Sequence, residues 1–307
     1  PRRCAATTRS GRPILESDRP VHEESTPAID QAIEREYNLR LRHPERGAVY
    51  ERFSAASAAL RRDETRYAAL RYGESPNSVI DFFPADRADR APLFMFIHGG
   101  YWRALDRRLF SFLARPWLDR GVHVALPGYE LAPAASVRAI VAQIRAATGW
   151  LLRNADRLNI DTARVIVSGH SAGAQLGAVT LSETTDWTAA GFVGISGVYD
   201  LRPLLATTVN LDVRLDAAEA HALSPQWRRA DPRLRCLCAV GGAETDGFRR
   251  QSREYTLALQ RQGCDAQLLE VPARTHFDVL DDLADADAPL FRGAHALLSA
   301  RRTGSNE

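Results

Sequence analysis

Apolar residues recur along the chain in short runs that predict strands separated by helices. Seven runs of four or five residues have the length and apolar character of buried strands. These runs are residues 79–83, 93–97, 122–126, 165–168, 192–195, 236–240 and 267–271. The run LFMFI at 93–97 is apolar throughout, which is typical of a central strand covered on both faces. Strands that alternate with helices predict an α/β fold, whose central sheet is mostly parallel and has helices on both faces.

Two longer stretches have the periodicity of helices. Residues 136–158 carry apolar side chains at three- and four-residue steps, which predicts an amphipathic helix. Residues 27 to about 71 are also predicted to be helical, because Ile29, Ile33 and Tyr37 recur at four-residue spacing.

The same pattern predicts a single domain with two tails. No internal repeat and no linker interrupts residues 80–300. We therefore expect one α/β domain at 29–302, with the N-terminal helical stretch as an extension. Residues 1–28 are polar and aperiodic and are predicted to be a disordered tail, and 303–307 a short C-terminal tail.

Charge and composition exclude several classes of function. The 40 Lys and Arg residues nearly balance the 38 Asp and Glu residues, giving a formal net charge of +2. A dedicated nucleic-acid binder normally carries a clustered basic surplus instead. Every basic residue is an arginine, so mechanisms that need a lysine, such as a Schiff base or a Ser-Lys dyad, are excluded.

The cysteine content and the hydropathy of the chain indicate its cellular compartment and the kinds of partner it can have. The four cysteines are interpreted as inert thiols, which suit the reducing cytosol. No apolar stretch approaches the roughly 18 residues of a membrane span. No H-E-x-x-H or similar spacing is present, so neither a metal nor another cofactor is expected. We expect a cytoplasmic protein that acts on a small molecule, without nucleic acid or membrane partners, and a homodimer is one assembly that the sequence allows.

The segment GHSAG at 169–173 is the strongest chemical signal in the chain. It follows an apolar run and precedes an Ala- and Leu-rich helical stretch, which is the strand–turn–helix setting of a nucleophile elbow. A serine on so sharp a turn is lifted above the strand edge, and flanking glycines let the backbone pass closely. The N-terminus of the following helix favours developing negative charge. Ser171 is therefore predicted to be a nucleophile.

The segment HGGYW at 98–102 follows the central strand and suits an oxyanion hole. Gly99 and Gly100 let the backbone approach a substrate carbonyl, and their N–H groups are predicted to bind the oxyanion together with that of Ala172. His98 is expected to hold the loop rather than act as a base. Tyr101 and Trp102 lie next to the predicted oxyanion hole and are predicted to shape a substrate pocket.

A nucleophilic serine needs a base. In proteins with a nucleophile elbow of this kind, the histidine base follows the serine in the chain. Three histidines follow Ser171, namely His221, His276 and His295. His276 comes five residues after the last predicted strand, in the loop where this arrangement presents its base. His295 lies in a predicted helix, and His221 precedes the acid candidates, so His276 is predicted to be the base.

The acid that orients the base has three candidates. The strand at 236–240 leads into Glu244 and Asp246, and the usual G-x-x-[D/E] pattern after this strand favours Glu244. Asp246 belongs to the same loop, and Asp200 follows the run at 192–195. These two aspartates stay as alternatives.

Several segments together resemble the kynurenine formamidases (arylformamidases) of the α/β-hydrolase fold and the bacterial esterases close to them. They are HGGYW at 98–102, GHSAGA at 169–174, SGVYDLRPLL at 196–205, HALSPQ at 221–226 and FRRQSREY at 248–255. The resemblance extends from about Tyr37 to His295. An aspartate occupies the family position that we align with Glu244. Tyr129 begins YELAP, which is similar to the Y-x-[LI]-A-P segment beside the family's site.

The resemblance implies a serine hydrolase that converts N-formyl-L-kynurenine to L-kynurenine and formate in tryptophan degradation. Tyr101, Trp102 and Tyr129 would then line the pocket for the aromatic ring. A general carboxylesterase, acting on short-chain or aryl esters through the same triad, is the alternative. A non-catalytic binding protein of this fold is disfavoured, because such chains usually lose the serine or the histidine and both are present here.

Overall fold

Eight strands form one continuous sheet in the computed structural model, which describes residues 28–87, 89–182 and 187–299. They are β1 (Ala68–Arg71), β2 (Val79–Phe83), β3 (Ala91–Ile97), β4 (His123–Pro127), β5 (Ile160–His170), β6 (Gly191–Ile195), β7 (Arg235–Gly241) and β8 (Asp265–Val271). Their order across the sheet is β1-β2-β4-β3-β5-β6-β7-β8. Only the β1–β2 and β2–β4 pairings are antiparallel. The predicted mostly parallel α/β sheet is confirmed.

All seven predicted strands are present, and the structure adds an eighth. β2 has the predicted bounds, and the others differ from the prediction by a few residues at their ends. Residues 68–71 were expected to be helical, and this expectation is wrong. They form β1, whose alternate residues are exposed and whose Ala68 is aligned with Phe82 of β2. A four-residue edge strand depends on its partner for hydrogen bonds, so the local pattern is too weak to predict it.

Helices precede the sheet and connect its strands. The α-helices are α1 (Gln31–Tyr37), α2 (Leu39–Arg42), α3 (Arg46–Asp63), α4 (Arg115–Leu118), α5 (Val137–Arg153), α6 (Ala155–Leu158), α7 (Ala172–Leu181), α8 (Val209–Val213), α9 (Ala217–Ala222), α10 (Asp246–Arg261), α11 (Asp281–Ala284) and α12 (Pro289–Ala296). Short 3-10 helices span Arg107–Ala114, Arg202–Ala206 and Pro225–Trp227. Within the described ranges, none of these helices is both long and apolar enough to cross a membrane.

The predicted helix at 136–158 is divided into α5 and α6. Ser136 caps the start of α5, its side chain accepting a hydrogen bond from the backbone N–H of Ala139 at 3.2 Å. The predicted tails at 1–28 and 303–307 lie outside the described residues, apart from residue 28. The predicted domain limit at 302 lies outside them as well.

Alternate side chains of β3 fill two apolar cores, one on each face of the sheet. Leu93, Met95 and Ile97 pack on one face, together with residues of α5, α7 and α10. Phe94 and Phe96 pack on the other face, with residues of α3, α4 and α12. Burial of each such side chain stabilises the fold by roughly 1.5–3 kcal/mol. This arrangement explains why the run is apolar at every position.

The sheet brings the motif-bearing loops to one edge. β3 and β5 are neighbours, with Ile97 aligned with Gly169. The loop after β3 therefore lies beside the turn after β5. β7 and β8 run parallel to them in the same sheet, so the loops that follow these strands reach the same edge.

Candidate active site

Ser171 occupies a strained turn between β5 and α7. Its φ is 56° and its ψ is −119°, a left-handed region that a residue with a Cβ rarely adopts. Its backbone N–H donates to the carbonyl oxygen of Ile195 at 2.8 Å, which ties the turn to the end of β6. A Cβ at Gly173 would collide with the carbonyl oxygens of Ile97 and His98, so glycine is required there. The turn is the predicted nucleophile elbow in its geometry.

The loop after β3 lies directly against this turn. A Cβ on Gly99 would lie 2.7 Å from the carbonyl oxygen of His170 and 3.1 Å from the Cβ of Ser171. Gly100 has a φ of 108°, which only glycine adopts without strain. The backbone N–H groups of Gly99, Gly100 and Ala172 donate to no acceptor among the residues that the structure describes. All three are thus available to a ligand beside Ser171, as an oxyanion hole requires.

His276 and Glu244 are hydrogen-bonded to each other in the loops after β8 and β7. His276 Nδ1 lies 2.7 Å from Glu244 Oε2, and both side chains are buried. The other carboxylate oxygen, Oε1, accepts from the Ser196 hydroxyl at 2.5 Å and from the Gly241 backbone N–H at 2.8 Å. The carboxylate is therefore held on three sides, in a position to fix the orientation of the imidazole.

The structure separates Glu244 from the other two acid candidates. Asp246 begins α10 and its side chain is 92% exposed, with Arg249 3.7 Å away. The Asp200 carboxylate is paired with Arg202 at 2.7 Å. Neither aspartate bonds to His276, so the geometry favours Glu244 as the acid.

A cavity of about 170 Å³ opens over Ser171 and His276, both of which line it. Gly100 and Tyr101 contribute to its wall, as does His170. Burial lowers the pKa of His170 well below its usual range, and the neighbouring His276 lowers it further. The His170 imidazole at the cavity wall is therefore held neutral.

Two residues predicted to line the pocket do not lie on the cavity wall. Trp102 is fully buried, and its indole N–H donates to Gln175 Oε1 at 3.0 Å beneath the loop. Tyr129 is stacked on the His98 ring, with centroids 4.2 Å apart, and its hydroxyl donates to the His98 carbonyl oxygen at 2.8 Å. Both pocket predictions are wrong. These aromatic side chains are buried on the side of the loop after β3 that faces away from the cavity, and they hold that loop in place. Tyr101 does line the cavity.

The N-terminal helices form the remaining wall of the cavity, which the sequence did not predict. The lining residues contributed by this segment are Asn38, Leu39, Arg40, Arg46, Tyr50 and Phe53. Ser196, which holds Glu244, was also missed, although it begins the SGVYD segment quoted above. The helical periodicity of residues 27–71 indicated one buried face, but it carried no information about what that face covers.

The N-terminal segment is attached directly to the loops that carry the predicted site residues. Glu36 accepts two hydrogen bonds from the start of α10: its carbonyl oxygen from the Thr245 hydroxyl at 2.9 Å, and its carboxylate from the Gly247 N–H at 2.7 Å. The Tyr101 hydroxyl donates to the Tyr37 carbonyl oxygen at 2.7 Å. Hydrogen bonds therefore connect the N-terminal segment to the loop that carries Glu244 and to the loop that carries Gly99 and Gly100.

Burial of His98 makes the stability of the protein depend on pH. Burial lowers the pKa of His98 to about 4, whereas an unfolded histidine titrates near 6.5. The unfolded state therefore binds the proton first as the pH falls through this window, and stability is lost. The free energy of unfolding is expected to fall by about 2 kcal/mol from this group between pH 7.5 and 5, measured by urea denaturation.

Two variants isolate this contribution from that of other titrating groups. His98→Asn keeps a polar atom near the position of Nδ1 but cannot be protonated, so its unfolding free energy should fall less steeply with acid. His221→Asn replaces an exposed histidine and should show the wild-type slope. Equal slopes for the wild type and His98→Asn would contradict the assignment.

The described residues contain no group of three or more His, Cys, Asp or Glu side chains that could hold a metal ion. A serine elbow, unpaired backbone donors beside it and a carboxylate-bound imidazole are the components of a serine acyl hydrolase. Fold and site together thus define an α/β hydrolase.

Comparison with known proteins agrees with that class. Residues 94–279 match the family model described as the alpha/beta hydrolase fold. The chain belongs to this α/β-hydrolase family, within the branch that contains the kynurenine formamidases. It is 31% identical to the kynurenine formamidase of Salmo salar over 70% of this chain and 76% of that protein. The identity to the kynurenine formamidase of Drosophila melanogaster is 30%, over 73% and 78% of the two chains.

Solved structures extend the comparison. A protein from Silicibacter sp. TM1040, described as a candidate thioesterase, has a TM-score of 0.71 and 32% identity over 83% of this chain and 94% of its own. Esterase B from Lactobacillus rhamnosis has a TM-score of 0.65 and 20% identity over 85% and 96% of the two chains, and shares the fold. The predicted resemblance to kynurenine formamidases and bacterial esterases is confirmed.

Proposed function

We propose that the protein is an arylformamidase that hydrolyses N-formyl-L-kynurenine to L-kynurenine and formate. The observation that carries the proposal is the placement of Ser171 and His276 on one cavity, with Glu244 bonded to His276 behind it. The relation to kynurenine formamidases over more than two thirds of the chain supports the choice of substrate.

The first half of the proposed reaction transfers the formyl group to the enzyme. His276 takes the proton of the Ser171 hydroxyl as its oxygen attacks the formyl carbon. The resulting oxyanion is bound by the backbone N–H groups of Gly99, Gly100 and Ala172, each such donor contributing roughly 3 kcal/mol. Glu244 stabilises the imidazolium, and His276 then gives its proton to the leaving aromatic amine as the C–N bond breaks.

The second half releases formate. A water molecule gives a proton to His276 and attacks the formyl ester of Ser171. The same backbone donors bind the second oxyanion. As the C–O bond to Ser171 breaks, His276 returns the proton to the serine oxygen, and formic acid leaves as formate and a proton.

The cavity supplies an aromatic environment for the leaving group. Phe277 lies next to His276 and lines the cavity, and the ring of Tyr50 meets it edge-on at 5.8 Å between centroids. Phe53 and Phe110 line the same cavity. An aryl amine would be surrounded by ring edges and faces there, which favours edge-to-face and offset contacts.

Turnover of a formamide against that of an ester tests the proposal. We expect the purified protein to hydrolyse N-formylkynurenine with a higher kcat/KM than p-nitrophenyl acetate. The formamide is followed by the absorbance of the product amine and the ester by that of p-nitrophenolate. A protein that turns over the ester rapidly and leaves the formamide intact would instead be the general carboxylesterase named as the alternative.

The proposed setting of this reaction is the cytoplasm, with a small-molecule substrate and without nucleic acid or membrane partners. Cys236, Cys238 and Cys264 are buried and form no disulfide among the described residues, which suits a reducing compartment. Cell fractionation tests the compartment. A homodimer stays an expectation that light scattering of the purified protein would test.

A further inference from the structure

We propose that Arg46, together with Arg40, binds a carboxylate of the substrate and so makes the enzyme selective for aryl substrates that carry a carboxylate. The inference rests on the proposed function and adds to it the residues that recognise the leaving group. Both arginines belong to the N-terminal segment, far in sequence from the catalytic residues, and both line the cavity that contains Ser171 and His276.

The charges on the cavity wall have one sign. Its lining includes three arginines, Arg40, Arg46 and Arg103, and no aspartate or glutamate. Arg103 is bound by the carboxylate of Asp212, so its charge is compensated. The other two arginines form no ion pair with a carboxylate of the described residues. The charged side chains that line the cavity are therefore suited to a carboxylate group of a ligand.

Arg46 is held in a fixed orientation without a salt bridge to a carboxylate of the described residues. Its Nη1 donates to the backbone carbonyl oxygen of Arg40 at 2.6 Å and to that of His43 at 3.0 Å. The carboxylate of the neighbouring Glu45 is hydrogen-bonded to the His43 ring at 2.6 Å and interacts with Arg46 through its charge, without forming a salt bridge to it. Two carbonyl oxygens thus orient the guanidinium, while Nε and Nη2 keep their N–H donors for a ligand. A planar guanidinium held in this way is suited to paired hydrogen bonds with a carboxylate.

Arg40 adds a second charge at the exposed rim of the same wall. Tyr50 lies near both arginines. Burial raises the pKa of Tyr50 to about 12, and the positive charges of Arg40 and Arg46 act against this rise. An aryl ring placed beside Tyr50 and Phe277 would therefore have cationic groups close to one of its edges.

A ratio of two substrates separates recognition of the carboxylate from general damage. The pair is N-formylkynurenine, which carries a carboxylate, and formanilide, which does not. Arg46→Gln is expected to lower the ratio of their kcat/KM values about 10- to 100-fold, mainly through KM for N-formylkynurenine. Arg46→Lys keeps the charge but loses the planar donor pair, so it should restore only part of the ratio. Arg40→Gln is expected to lower the ratio less, because this side chain is exposed.

Arg42→Gln is the matched control. Arg42 lies on the same short helix as Arg40, is exposed and does not line the cavity, so this variant should keep the wild-type ratio. An unchanged ratio in Arg46→Gln, or the same loss in Arg42→Gln, would overturn the inference. Either result would leave the hydrolysis of N-formylkynurenine, and with it the proposed function, intact.

An ester pair distinguishes failure of the inference from failure of the proposed function. If the wild type hydrolyses neither formamide, 2-acetoxybenzoate and phenyl acetate offer the same contrast of charge on the leaving group. A ratio that falls in Arg46→Gln on this pair would support the carboxylate site although the formamidase proposal had failed. A ratio unchanged on this pair would overturn the carboxylate site as well.

Discussion

Replacement of Ser171 by alanine is expected to lower kcat/KM for N-formylkynurenine by at least about 10⁴-fold. The variant removes the only atom proposed to form a covalent bond with the substrate. It leaves Gly99, Gly100 and Ala172 in place to bind the carbonyl oxygen, so a small residual rate above that of water is also expected. The measurement is a steady-state assay of the purified variant, checked for correct folding by circular dichroism.

Ser54→Ala is the control for this variant, because Ser54 is an exposed serine on α3 that does not line the cavity. It should retain wild-type activity. A fluorophosphonate probe gives a second readout, since it should label the wild type and Ser54→Ala but not Ser171→Ala. Full activity in a folded Ser171→Ala protein would refute the site assignment.

Replacement of Glu244 by glutamine is expected to lower kcat by about 10³- to 10⁴-fold with little change in the fold. The Gly241 N–H requires an oxygen at the position of Oε1, so the new amide group would be directed at His276. An NH₂ group facing Nδ1 favours the tautomer that carries its proton on Nε2. That tautomer cannot accept the proton of Ser171, so the nucleophile is not activated.

Asp246→Asn is the matched control, because this carboxylate is 92% exposed two residues away. It should retain kcat within about a factor of two, as expected of a surface charge with little influence on the site. A larger loss in Asp246→Asn than in Glu244→Gln would show that the acid had been assigned to the wrong residue.

Local sequence was sufficient for seven of the eight strands and for the loops that carry the predicted site residues. A strand buried on both faces, such as β3, must be apolar at every position, and this pattern is visible without a structure. The GHSAG segment depends on backbone geometry within five residues, so its turn and the strained Ser171 could be predicted directly. His276 could be predicted because its place after the last strand follows from the order of elements in the chain.

The tertiary structure distinguished the acid candidates from one another and formed the cavity wall. Glu244 and Asp246 are two residues apart, and only the fold of their loop directs one to His276 and the other to solvent. Trp102 follows Gly99 and Gly100 closely in sequence, yet its indole lies in the core, where it donates a hydrogen bond to Gln175. Side-chain direction in a loop depends on contacts with distant residues, and local composition does not contain them.

Contacts between distant residues also explain why the sequence did not show which residues recognise the substrate. Composition showed that every basic residue is an arginine, and the resemblance implied a substrate with a carboxylate, but neither indicated which arginine would meet it. Hydrogen bonds to α10 and to Tyr101, together with ring contacts to Phe277, hold the N-terminal segment over the cavity. Arg46 and Ser171 are brought onto one cavity by these long-range contacts. The sequence by itself determined most of the elements and indicated the nucleophile and the base, and the packing between elements decided what encloses them.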